Sequence, residues 1–128
     1  FANGCFDLVH PGHLNLLRHA AKTADRLIIG LNTDASVRRL KGNSRPLQSA
    51  DKRAAALAAF DMVDAVTIFD EDTPQNLIAL LQPDFIVKGG DYKSGDVVGS
   101  DIVKKRGGKV VIVPILAAYS TSKFVKNL

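Results

Sequence analysis

A chain of 128 residues with 46% hydrophobic side chains is the size of one domain, here 1–128, and can build a core without cross-links. Its single cysteine excludes an internal disulfide, no apolar run approaches the ~20 residues of a membrane helix, and no signal-peptide pattern opens it; a cytoplasmic setting is expected. The net charge of +4 favours anionic ligands, while 6% aromatics, no tryptophan and scattered cations argue against nucleic acid.

In chain order, only Phe1 and Ala2 precede Asn3-Gly4, so the first strand is expected to begin upstream of Phe1. Leu14, Leu17 and Ala21 then recur at helical spacing, with Pro11 suited to the first turn. Residues 26–31 form an apolar run that ends at Asn32-Thr33-Asp34, the pattern of a strand buried on both faces. The segment Lys41-Gly42-Asn43-Ser44-Arg45-Pro46 reads as a loop with two cations. Asp51-Lys52-Arg53 opens a helix that continues through Ala54, Leu57 and Ala58. Residues 65–69 give a further strand. Thr73-Pro74 reads as a cap and first-turn proline before Leu77, Ile78, Leu80 and Leu81. Strands at 84–88 and 109–114 follow, and Ser120 caps a last short helix at 121–126. Strands alternating with helices predict an α/β fold: a five-stranded, parallel, doubly wound, Rossmann-like sheet. Its ligand belongs at the carboxyl ends of the strands.

The stretch Asn3-Gly4-Cys5-Phe6-Asp7-Leu8-Val9-His10-Pro11-Gly12-His13 joins a strand end to a helix start. Backbone N–H groups and the helix dipole make such a junction an anion site. Gly12 lets a phosphate approach closely, and His10 and His13, three apart, can face one ligand. An isolated pair of this kind reads more readily as a cap and a surface histidine; the Pro-Gly between them at a strand-to-helix junction reverses that in favour of the ligand. Nucleotidyl transfer loads negative charge onto α-phosphate oxygens, where fixed donors accelerate it. A phosphate acceptor, with a second pKa of ~6, needs no general base. The histidines are therefore read as charge stabilisers. His19 reads as a surface residue.

These residues resemble the HxGH motif of the cytidylyltransferase-like nucleotidyltransferases. The chain is similar throughout to the branch that adenylylates a heptose 1-phosphate. The similarity runs through Leu31-Asn32-Thr33-Asp34-Ala35-Ser36-Val37-Arg38-Arg39-Leu40-Lys41-Gly42, Arg45-Pro46 and Glu71-Asp72-Thr73-Pro74. It continues in Val87-Lys88-Gly89-Gly90-Asp91-Tyr92 and Tyr119-Ser120-Thr121. The resemblance implies that Phe6, His10, Gly12 and His13 line the nucleotide site, with Cys5 packed beside them. It implies a catalytic Lys41 that contacts phosphates of both substrates, and a triphosphate-binding Arg53. Gly89, Asp91 and Tyr92 would shape the nucleotide pocket, and Ser120, Thr121 and Ser122 would hold the leaving phosphates. Asp7, Lys41, Arg45 and Lys88 are the acceptor-side candidates.

Ser122 stands where the branch has threonine, keeping the hydroxyl. Ile115-Leu116-Ala117-Ala118 lacks the arginine of cytidylyl relatives, and Arg45 or Lys88 is the candidate replacement. The implied reaction gives ADP-heptose and pyrophosphate from ATP, Mg²⁺ and D-glycero-β-D-manno-heptose 1-phosphate, by a homodimer and with no protein metal ligand assigned. Two alternatives share these residues: a glycerol-3-phosphate cytidylyltransferase, and a nucleotide-binding module without catalysis. Keeping His10, His13, Lys41 and Arg53 together favours an enzyme.

Overall fold

The computed structural model describes residues 1–90 and 92–114. The expectations for Asp91, for Ser120, Thr121 and Ser122, and for the last helix lie outside these residues. Among the described residues there are five strands: β1 (Ala2–Gly4), β2 (Ile28–Asn32), β3 (Ala65–Phe69), β4 (Phe85–Gly89) and β5 (Lys109–Val113). Between them lie α1 (Pro11–Thr23), α2 (Asp34–Lys41), α3 (Ala50–Ala58), α4 (Gln75–Leu81) and α5 (Ser100–Lys105), with a short 3₁₀ turn at Ser94–Asp96. All strand pairs are parallel.

The ladders form two sheets, one of three strands in the order β1-β2-β3 and one of two, β4-β5. Phe1 joins them. Its backbone nitrogen donates to the Phe85 carbonyl at 2.9 Å, and its carbonyl accepts from Val87 N–H at 2.9 Å. The start of β1 therefore runs beside β4.

Two apolar clusters hold the helices. Leu17 and Ala20 of α1 and Leu57 of α3 pack with Ala2, Leu31, Val87 and Val113. Leu77 and Ile78 of α4 and Val103 of α5 pack instead with Phe1, Phe69 and Ile86. Side chains alternate across a strand, so neighbouring residues such as Ile86 and Val87 serve different clusters.

Three local expectations are corrected. Lys41 is the last residue of a helix rather than part of a loop; Thr33 caps that helix by accepting from Ser36 N–H at 3.1 Å. Pro74 is the cap residue of α4 rather than its first helical residue, and no side chain caps this helix. α5 was not expected from the sequence pattern. Its six residues bury only Ser100 and Val103, too few for a helical stripe.

The signature-like run after β2 is largely scaffold. Thr33 Oγ1 donates to Asp70 at 2.6 Å, Ser36 Oγ to the Glu71 carbonyl at 3.0 Å, and Arg39 Nε to Asp72 at 2.8 Å. These contacts fasten α2 to the segment after β3.

Candidate active site

At the carboxyl ends of β1, β4 and β5, over the first turn of α1, lies a cavity of about 330 Å³. Its walls are Asn3, Gly4, Cys5, Phe6, Asp7, His10, Gly12, His13, Leu16, Lys41, Lys88, Gly89, Val113 and Pro114. Carboxyl strand ends collect loops that backbone pairing does not consume, so ligands settle there.

His10 is the N-cap of α1. Its Nδ1 accepts from Gly12 N–H at 3.1 Å, while its own N–H donates to His13 Nδ1 at 3.4 Å. The two histidines thus form a reciprocal capping box, with Pro11 in the first turn as expected. Their rings stack at 3.8 Å between centroids, 24° from parallel. An Nδ1 that accepts cannot carry the proton, so the bond assigns the His10 proton to Nε2. Burial lowers the His10 pKa. Burial, and then the neighbouring His10, bring His13 from 6.5 down to about 4, with Lys41 adding to the effect against a hydrogen bond to the Leu8 backbone. Both rings are neutral near pH 7. Neutral imidazoles can still donate hydrogen bonds to phosphate oxygens.

Phe6 is buried, and its ring lies 5.1 Å from that of His13, tilted by 58°. Its φ of +46° puts a bulky residue in the left-handed region, the kind of strain that clusters at functional sites. Lys41 and Lys88 bring the cations. Lys88 Nζ sits 5.4 Å from the centre of the Tyr92 ring, and burial lowers its pKa. Burial also raises the Cys5 thiol pKa, which suits packing rather than nucleophilic work.

Three charged residues occupy places the sequence did not show. Asp7, 1% exposed, touches the cavity, but its carboxylate accepts from Leu47 N–H at 2.8 Å and Gln48 N–H at 3.0 Å. Arg45 pairs with that carboxylate at 3.6 Å and does not line the cavity. Arg53 is fully buried beneath the site and likewise does not line it. Tyr92 is exposed and does not line the cavity, but its ring lies under Lys88, which does.

Sequence reasoning missed Asn3, Gly4, Leu16, Val113 and Pro114 as wall residues. Leu16 was findable, because it lies one turn after His13 on the same helix face. Among the described residues no group of three or more His, Cys, Asp or Glu is gathered as a metal site. Nor is any helix among them long and apolar enough to cross a membrane.

Comparison with known proteins agrees with this geometry. A family model described as cytidylyltransferase-like matches residues 1–126. Bifunctional protein HldE of Nitrobacter winogradskyi is 55% identical over 127 residues, covering 99% of this chain and 26% of the relative. Bifunctional protein HldE of Gluconobacter oxydans is 53% identical over 128 residues, 100% of this chain and 27% of that one. The chain thus spans about a quarter of the length of these curated relatives. A crystal structure of the lipopolysaccharide core biosynthesis protein from Thermoplasma volcanium GSS1 superposes with a TM-score of 0.70 at 27% identity, covering 90% of this chain and 93% of that one. With the family model matched along nearly its whole length, the chain belongs to the cytidylyltransferase-like family.

Proposed function

We propose that the chain transfers AMP from ATP to D-glycero-β-D-manno-heptose 1-phosphate, giving ADP-heptose for lipopolysaccharide core synthesis. The observation that carries this reading is the stacked, neutral histidine pair at the start of α1, set in a cavity with two lysines. An oxygen of the acceptor phosphate forms a bond to the α-phosphorus. The bond from that phosphorus to the bridging oxygen breaks, and pyrophosphate leaves in line. His10 and His13 donate to the α-phosphate oxygens as their charge rises, and Lys41 and Lys88 offset charge on the flanking phosphates.

Magnesium enters with ATP as part of the substrate. Asp7, the carboxylate nearest the histidines in sequence, is turned to backbone N–H groups, and an ion that keeps most of its waters needs few protein ligands. Dependence on ATP points to the cytoplasm. For the architecture, the bonds made by Phe1 support one doubly wound sheet in the order β3-β2-β1-β4-β5. A homodimer belongs to the same reading, and sedimentation equilibrium tests it.

The motifs shared with the adenylylating branch, and the lack of an arginine in Ile115-Leu116-Ala117-Ala118, favour adenylyl over cytidylyl transfer. Pyrophosphate release is the test, with ATP and the heptose 1-phosphate set beside CTP and glycerol 3-phosphate. A preference for the second pair overturns the assignment in favour of the cytidylyl alternative. Nucleotide binding with no release from either pair would mark a non-catalytic module.

A further inference from the structure

Arg53 makes four hydrogen bonds without reaching the cavity. Nε donates to the Gln48 carbonyl at 3.0 Å, Nη1 to the carbonyls of Cys5 and Asn32 at 2.8 Å each, and Nη2 to Asp34 Oδ1 at 2.7 Å. One side chain thereby gathers the turn after β1, the end of β2, the start of α2 and the approach to α3. Stability alone gives little reason for this choice, because an apolar side chain of similar volume often serves as well as a buried ion pair.

The turn it holds contains the strained residue. The Cys5 carbonyl precedes Phe6, which has φ of +46°; Asp7 follows, and its carboxylate is fixed by the N–H groups of Leu47 and Gln48. Gln48 is gripped from both sides, its N–H by Asp7 and its carbonyl by Arg53. A left-handed phenylalanine persists only where its surroundings over-determine it, and here both flanks are tied. The ring so placed packs against His13.

We infer that Arg53 is a positioning residue: it locks the Cys5-Phe6-Asp7 turn so that Phe6 sets the His13 ring, and it does not bind the triphosphate. The kinetic arm of its test rests on the adenylyl-transfer reading; the spectroscopic arm does not.

The test is Arg53→Lys, whose ammonium keeps the charge but cannot span these carbonyls. The milder Asp34→Ala removes one anchor, in case the first variant does not fold. In Arg53→Lys, kcat should fall roughly 10- to 100-fold, the scale of a small misplacement at a reacting centre. The dissociation constant for magnesium-ATP, read by calorimetry, should stay within about threefold. The NMR titration midpoint of His13, whose charged neighbours are His10 and Lys41, should rise from about 4 toward 6.5 as the packing loosens. Asp34→Ala should move kcat and the midpoint the same way by less.

A tenfold weaker magnesium-ATP complex with kcat intact would overturn the inference and restore a phosphate ligand. A lower melting temperature with kcat per folded molecule and the His13 midpoint both unchanged would also overturn it, leaving a structural staple. If the wild-type chain turns over neither substrate pair, the proposed function fails while the His13 titration still decides this one.

Discussion

His10 and His13 face one site because a proline and a glycine between them start a helix, and each ring supports the backbone of the other. Replacing either by alanine is expected to lower kcat by roughly 10²–10³ with a smaller change in KM, as when one preorganised donor is lost. Near-normal turnover in both variants would remove them from the chemistry. Lys41→Ala should raise KM for nucleotide and acceptor together, and initial rates with each substrate varied in turn will check this. Unchanged values for both would make Lys41 a solvated surface charge. These residues were legible in the sequence because their chemistry is unusual where they stand. Asp7, Arg45 and Arg53 looked equally like ligands. Their charges are met by partners tens of positions away, Leu47 and Gln48 for Asp7 and Cys5 and Asn32 for Arg53, and spacing does not reveal such pairings.

At the scale of elements, apolar content decided what could be read. The strand at Ala65–Phe69 was expected at those bounds, and the other long strands fell within two residues at either end. The helix Asp34–Lys41 was not, because Ser36 and Val37 are its only buried residues and its contacts to Asp70, Glu71 and Asp72 are polar. The connection from β4 through α5 to β5 depends on backbone proximity instead. A Cβ on Gly108 would stand 2.1 Å from the Asp84 carbonyl oxygen, and one on Gly99, at φ of +88°, 2.6 Å from Ile78 Cδ1. Gly95, whose φ is not positive, would meet nothing within 4 Å. Gly108→Ala and Gly99→Ala should therefore each cost about 2–4 kcal/mol, and Gly95→Ala less than about 0.5 kcal/mol. Urea unfolding of the three variants checks the order; equal losses would refute the contact argument.

Across the whole molecule the strand sequence was readable, but the join between its two sheets was not, because it rests on the backbone of a single residue, Phe1. The site these sheets carry also ties stability to pH. His13 titrates at about 4 in the folded chain against 6.5 for an ordinary histidine, and His10 moves in the same direction. Between those values the unfolded chain binds more protons than the folded one, so stability rises with pH across that window. The sign follows from burial: a ring kept neutral in the fold resists the proton that the unfolded chain takes up freely. Stability should thus be level with respect to His13 above about 6.5 and decline as the pH falls toward about 4, below which this contribution is fully lost. Urea midpoints measured from pH 4 to pH 8 will show the slope, and His13→Gln, which removes the titrating ring, should flatten it. A slope of the same size in His13→Gln would assign the acid sensitivity to other groups. In the native chain the catalytic consequence differs: kcat should show no inflection near pH 6.5 from His13, because in the folded chain that ring stays a neutral donor until the pH approaches about 4.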